Sequence, residues 1–398
     1  MSKLLSIIIP TKNRAEYCIS VLNTLLKNKY NNFEIIIQDN SDVDDIRNYL
    51  EKEKITDSRL VYNYIKTPLS FISNFNKAIE IASGKYVIVI GDDDGITKNL
   101  FEVVEWANKN DVDSVCPVEL VHYVWPNSTS NGKMVIPYST KKIWRNRPLD
   151  NMQNLVEDGI IQYMHFNLPK LYHGVVLKER LEDIKRKTGN YLGGLTPDIY
   201  ASIALSATVK NHIVISFPLT IAGASPKSAT IDNTKGKHSG SLENAPHFRN
   251  RGEYVWDENV PKYYSVQTIW AETALQAMND MEIEVNLGKL NLEKMLAGAL
   301  IDSNEYEELF INETLKLRNS LSRNELVKNV SKYKKVLKTK GFIKQAFYRI
   351  PRKFILRNIR LTNIADIKQC TEISNEELSG RYDLQKILKS YKGQFQKI

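Results

Sequence analysis

Three consecutive carboxylates, Asp92, Asp93 and Asp94, follow at once on Gly91 and the β-branched run 87–90. Carboxylates crowded at a strand end repel one another. A hard, oxygen-seeking cation such as Mg2+ or Mn2+, itself bound to phosphates, would offset that repulsion. Taken alone, the triplet reads equally well as a solvated acidic turn. Upstream lie three further polar clusters: Thr11-Lys12-Asn13-Arg14, Asp39-Asn40-Ser41 and the segment leading into Ser70.

The elements that must position these clusters are apolar runs alternating with helical patterns. Leu4–Ile9, Phe33–Ile37, Leu60–Tyr64, Lys85–Ile90 and Ser114–Cys116 read as strands. Between them, Phe71, Ile72, Phe75, Ala78, Ile79 and Ala82 recur at helical spacing, with Ser70 as an N-cap and Gly84 as a stop. Strand–helix alternation with nearly continuous apolar strands predicts an α/β fold with a mostly parallel sheet flanked by helices. Ligands of such sheets bind outside the carboxyl ends of the strands, where all four clusters fall. Residues distant in sequence are therefore expected to converge.

From about residue 118 the pattern changes. Val118–Trp125 and Lys133–Tyr138 read as strands around the Asn131-Gly132 turn signal. Leu149–Glu157 and Lys178–Lys187 read as helices, Thr196-Pro197-Asp198 as a helix start, and His212–Phe217 as a strand. Residues 223–252 are aperiodic and read either as a lid bearing Lys227, Lys235, Lys237, His238 and His247 or as a plain surface loop. From about 260 the chain is mostly helical. The expected organisation is residues 1–255 as one domain, with halves 1–117 and 118–255, followed by a mainly helical region 256–398.

Composition excludes several classes. Hydrophobic residues make up 42% and charged residues 25%, which suits a globular protein rather than a disordered one. Three scattered cysteines form neither a disulfide framework nor a zinc pattern. The first strand starts too early for a signal peptide, and no apolar run approaches the roughly 20 residues needed to span a bilayer. A cytoplasmic protein is expected. Residues 332–360 hold eleven Lys or Arg and no Asp or Glu; without those cations the net charge of +9 becomes −2. A body so nearly neutral, with no recognition motif, does not predict a nucleic-acid partner. Within the basic stretch, Ile343, Phe347, Ile350 and Phe354 share a helical face, and Pro351 is expected to kink it. The stretch reads as an anionic-membrane-surface element or as a helix packing its apolar stripe on the body.

The segments Leu5-Ser-Ile-Ile-Ile-Pro-Thr-Lys-Asn-Arg14, Phe33-Glu-Ile-Ile-Ile-Gln-Asp-Asn-Ser41 and Gly84-Lys-Tyr-Val-Ile-Val-Ile-Gly-Asp-Asp-Asp94 together resemble the family 2 glycosyltransferases, most strongly over residues 4–110. The resemblance implies a GT-A, Rossmann-like fold and sugar transfer from a nucleotide-diphosphate sugar, with Mn2+ or Mg2+. It implies that the loop from Pro10 and Thr11 through Asn13 and Arg14 lines the nucleotide pocket and that Asp39 contacts the nucleoside. Asp93 is implied as a ribose contact and Asp94 as the ligand of the diphosphate-bound metal. Gly91 stands where many members carry another Asp, which leaves the role of Asp92 open among the nucleotide-binding residues. Asn74 and Asn76 lie two apart on one helix, so only one of them, Asn74, is assigned to the nucleotide. Asp198 matches the family's catalytic base, against the reading of ordinary helix capping. His173 is a candidate for the acceptor site, against a structural histidine.

The expected function is inverting transfer of a sugar to a glycan or lipid-linked acceptor hydroxyl in bacterial surface-polysaccharide synthesis, with attachment at the inner face of the membrane. The alternatives are a sugar-nucleotide nucleotidyltransferase, although the first loop lacks glycine, and a non-catalytic glycan-binding protein. Sugar, nucleobase, acceptor and oligomeric state depend on pocket shape and surface, which motif spacing does not encode.

Overall fold

The structure, a computed structural model, describes residues 3–127, 131–226, 239–349 and 358–391. The first part runs β1 (Leu5–Thr11), α1 (Ala15–Leu26), β2 (Phe33–Asp39), α2 (Asp45–Lys52), β3 (Leu60–Tyr64), α3 (Phe71–Glu80), β4 (Tyr86–Val89), β5 (Gly95–Ile96), α4 (Asn99–Lys109) and β6 (Ser114–Pro117). It continues through β7 (Val121–Val124), β8 (Lys133–Ile136), β9 (Ile143–Asn146), α5 (Met152–Glu157), β10 (Val175–Leu177), α6 (Lys178–Thr188), α7 (Pro197–Thr208), β11 (His212–Ile215) and β12 (Thr220–Ala224). The remainder is α8 (Val266–Asp280), α9 (Leu292–Asp302), α10 (Glu307–Leu317), α11 (Arg323–Arg349), β13 (Ile359–Thr362), α12 (Ile367–Arg381) and α13 (Leu384–Lys389).

Among the described residues the strands form an eight-stranded sheet, β3-β2-β1-β4-β10-β6-β11-β9, and a five-stranded sheet, β13-β8-β7-β12-β5. The first four strands of the large sheet are parallel, and β10 runs antiparallel between β4 and β6. This is the expected α/β arrangement, with helices on both faces. Every residue of β1 and β2 is buried, which is why both read as unbroken apolar runs. Alternate residues feed different cores: Ile7 and Ile9 face α1 and α4, whereas Ile8 joins α3, α7 and α8 on the other side.

Ser70 caps α3 as its sequence predicts, accepting the Ser73 N–H at 3.1 Å. Gly84 does not stop that helix, which ends at Glu80 with Ile81 still in right-handed geometry. Its backbone instead passes against β1, where a Cβ would lie 2.6 Å from the Ser6 nitrogen. β7 and β8 pair antiparallel as the Asn131-Gly132 signal predicts. Residues 358–391 return to the front of the molecule. β13 pairs with β8, and Ile367, Cys370, Leu384, Ile387 and Leu388 enter the core shared with β1 and β2. Burial of each large aliphatic side chain contributes about 1.5–3 kcal/mol of gross stabilisation.

The first half of α11 is docked through Leu326 and Val330, which are buried with α9 and α10. The apolar stripe from Ile343 to Phe354, with Pro351, lies outside the described side chains. So do Lys227, Lys235, Lys237 and His238 of the expected lid. Among the described residues no helix is long and apolar enough to cross a membrane. The three cysteines are buried and unpaired.

Candidate active site

The register of the parallel strands builds the rim. Pro10 pairs with Gln38 and Thr11 with Asp39, so the first and second polar clusters leave the sheet side by side. Asn13 adopts a left-handed φ of 57°. Its N–H reaches Ser41 Oγ at 2.8 Å, while its side-chain amide donates to Asp42 and accepts the Asp42 N–H. Asparagine tolerates that conformation and ties the two loops together. β1 also pairs with β4, which carries the carboxylates to the same rim. Thr11 Oγ1 donates to Asp92 at 2.6 Å.

Part of the carboxylates' charge is balanced by the protein itself, through Arg14. Arg14 sets Nε 3.1 Å from Asp92 and Nη2 2.6 Å from Asp93, and Nη2 also donates to Ser225 Oγ at 2.7 Å. Burial, only partly countered by Arg14 and Thr11, raises the Asp92 carboxyl to about 7. Asp93 is raised by burial and by Asp94 beside it. Arg14→Gln leaves two buried carboxylates without a cation. The expected loss is about 3 kcal/mol, the low end for a broken buried pair, because 19% of the Arg14 side chain stays in solvent. Urea unfolding at neutral pH measures it; a change under about 0.5 kcal/mol would remove Arg14 as the neutralising group.

Asp94 is held from four directions. Its Oδ2 accepts the Tyr172 hydroxyl and the Gly91 N–H, each at 2.6 Å, and its Oδ1 accepts the Gly223 N–H at 2.7 Å. His173 Nε2 lies 3.3 Å from Oδ2. Even so, burial raises the Asp94 carboxyl. Residues 171–173 reach this point because Leu171 and His173 exchange backbone hydrogen bonds with Val89 at the end of β4. Gly223 is a required close approach, since a Cβ there would lie 1.8 Å from the Asp93 carbonyl oxygen. Burial lowers His173 to about 3, so the imidazole is neutral. A carboxylate only accepts, which places the proton on Nε2 and leaves Nδ1 as an acceptor without a partner in the structure.

Asp94, Tyr172, His173, Lys170 and Asp198 line one cavity of about 300 Å3, closed on its far side by Tyr163 and Trp270. Asp198 occupies the first turn of α7, as expected, but Thr196 makes no side-chain cap there. A helix first turn favours a carboxylate's ionised form; burial outweighs it and raises the Asp198 carboxyl.

Asp39 sits on the β2 side of the rim, fully buried, with Oδ1 accepting the Ser41 N–H at 2.8 Å and Oδ2 the Tyr62 hydroxyl at 2.9 Å. Asn74 donates to the Thr11 carbonyl at 3.3 Å, and its Oδ1 has no partner. Asn76 instead bonds both backbone groups of Leu192 at 2.9 Å. Motif reading gave no role to Tyr172 and Trp270, and placed Gly223 and Ser225 only in the stretch read as a lid or a surface loop. Tyr172 had one usable signal, its place next to His173.

Among the described residues no three His, Cys, Asp or Glu side chains are grouped to chelate a metal. A divalent cation that rides on a diphosphate needs only one or two protein carboxylates. Asp94, with Asp93 Oδ1, which accepts no hydrogen bond from the described residues, would supply that hard-oxygen set.

Residues 6–167 match the family described as Glycosyl transferase family 2. "Glycosyltransferase GlyG" of Streptococcus pneumoniae is 26% identical over 116 residues, 29% of this chain and 38% of that protein. "Putative teichuronic acid biosynthesis glycosyltransferase TuaG" of Bacillus subtilis is 29% identical over 25% of this chain and 39% of its own length. "GalNAc(5)-diNAcBac-PP-undecaprenol beta-1,3-glucosyltransferase" of Campylobacter jejuni is 30% identical over 26% of this chain and 35% of its own. The chain therefore spans less than two-fifths of these relatives. Among solved structures, S. aureus TarS 1–349 in complex with UDP-GlcNAc aligns with 85% of this chain and 92% of its own at 14% identity and a TM-score of 0.49.

Proposed function

We propose that the chain is a family 2 glycosyltransferase, the family that its residues 6–167 match, and that it moves a sugar, with inversion, from a nucleotide-diphosphate sugar to an acceptor hydroxyl. The observation that carries this reading is the shared cavity of Asp94, His173 and Asp198, beside the loop Pro10–Arg14.

Asp198 takes the acceptor hydroxyl's proton as that oxygen forms its bond to the anomeric carbon. The bond from the anomeric carbon to the diphosphate breaks on the opposite face, and the diphosphate leaves with the electron pair. Asp94 and Asp93 would hold a divalent cation, which when bound would supply positive charge to that leaving group. Tyr172, Gly91 and Gly223 fix the Asp94 carboxylate. His173 Nδ1 accepts a hydroxyl of donor or acceptor. Asp39, whose oxygens keep spare lone pairs, takes the nucleoside, and Asn74 Oδ1 the nucleotide. The relatives' printed names, teichuronic acid biosynthesis and an undecaprenol-linked acceptor, favour a bacterial surface polysaccharide and a lipid-linked acceptor. The basic stretch 332–360 would then face the anionic inner leaflet.

A panel of nucleotide sugars, with and without Mn2+, tests the reading. The expected result is cation-dependent release of nucleoside diphosphate from one donor, a product of inverted anomeric configuration, and sedimentation of the protein with anionic but not neutral liposomes. Release of pyrophosphate would instead indicate nucleotidyl transfer. Binding of glycans without any nucleotide would indicate a lectin. Equal sedimentation with both liposomes would remove the membrane assignment.

A further inference from the structure

A second cavity, of about 440 Å3, opens on the other side of α7. Asp198 lines the first cavity and Tyr200 the second; residues two apart on a helix do not share a face. The second cavity is also bordered by Ser73 and Asn76 of α3, the helix whose Asn74 holds the Thr11 carbonyl. It thus adjoins both the reaction cavity and the nucleotide rim, sharing Ser70 with the rim and no residue with the reaction cavity.

Its wall carries one cation, Arg251. That guanidinium donates from Nη1 to the Gly194 carbonyl and lies 4.7 Å over the Tyr254 ring. Among the described residues no carboxylate pairs with it, and Nε and Nη2 have no protein acceptor. Half in solvent, the guanidinium keeps donors open to an oxyanion entering the cavity. The same lining holds Asp280, which accepts the Tyr200 hydroxyl at 2.7 Å, Gln276, whose Oε1 shares the Tyr254 hydroxyl with Glu272 at 2.9 Å and whose amide N–H groups stay free, and Asn190, which adds a further amide. Beyond Gln276 and Asp280 lies a third cavity of about 530 Å3, bordered by Trp256.

We propose that this cleft binds an anionic saccharide unit, its carboxylate or phosphate on Arg251 and its hydroxyls on Asp280, Gln276 and Asn190. The guanidinium fork matches either oxyanion in bidentate geometry. Asp280 repels an anion on its own side, so the ligand is oriented: charge toward Arg251, hydroxyls toward the acid and amides. A neutral sugar leaves the cation unanswered, and a simple anion leaves the opposite wall unused. The neighbouring cavity gives room for a second sugar on Trp256. That the ligand is a stretch of the acceptor rests on the transferase reading above; binding itself does not.

Calorimetry on the full chain with an oligogalacturonate tetramer, a mannose 6-phosphate oligomer and maltotetraose tests this, with UDP plus Mn2+ measured in parallel. At least one anionic oligomer is expected to bind at least tenfold more tightly than maltotetraose, and the better of the two identifies the oxyanion. Arg251→Gln is expected to abolish that preference. Asn190→Asp, which breaks no side-chain contact among the described residues, is expected to weaken the anionic oligomer three- to tenfold relative to maltotetraose and to leave UDP unchanged. It serves as the variant of record if Arg251→Gln melts early. No preference for either anion, or a preference that survives both substitutions, overturns the proposal. Failure of UDP to bind the wild-type chain would count against the transferase reading and not against the saccharide site.

Discussion

Asp94→Asn is expected to lower kcat at least a thousandfold while leaving a folded protein. The substitution keeps the side chain's size but removes the charge that a diphosphate-bound cation needs. A thousandfold corresponds to about 4 kcal/mol of transition-state stabilisation, within the range that a metal's charge supplies. It also brings an amide N–H2 against donors. Asp94 Oδ2 takes the Tyr172 hydroxyl and the Gly91 N–H, and an amide satisfies that set only in part. A loss of about 1–3 kcal/mol of stability accompanies the change. Activity and urea unfolding separate the two effects. Chelation of the wild type is expected to mimic the catalytic loss without the stability loss. An Asp94→Asn protein that keeps a tenth of its activity in a chelator would remove both the cation and Asp94 from the reaction.

Asp198→Asn is expected to lower kcat by about 10²–10⁴, the usual contribution of a positioned general base, with no change in nucleotide affinity. Its pH dependence identifies the group. A base must be ionised, so kcat/KM falls as pH drops through the Asp198 pKa. Burial raises that pKa, so the acid limb lies above the ordinary aspartate value of about 3.9. His173, held near 3 by burial, is neutral on both sides of the limb and does not produce it. The limb is expected to persist in His173→Gln and to disappear in Asp198→Asn. The reverse pattern would transfer the base to His173.

Much of the first half was legible because its signals are local. β1, β2 and β3 are runs of five to seven residues, and the helix from Phe71 shows its face within three turns. β5, β9, β10 and β12 have two to five residues each, too few alternations to stand out. Their existence depends on partners such as β4, β7 and β11, far away in the chain. The carboxylates behaved likewise. That Asp92–Asp94 must be neutralised follows from their adjacency; that Arg14 does part of it follows from the pairing of β1 with β4. Residues 358–391 carried no motif, yet they complete both the small sheet and the front core.

The amino-acid order alone determined the parallel rim, its four polar clusters and the kind of chemistry they suit, because periodicity and turn residues act over a few positions. Only the folded chain decided which groups meet: Tyr172, His173 and Gly223 around Asp94, Asp198 across the same cavity, and Arg251 alone in the next one. Those meetings depend on strand register and helix packing over separations of tens to hundreds of residues, and no local pattern encodes them.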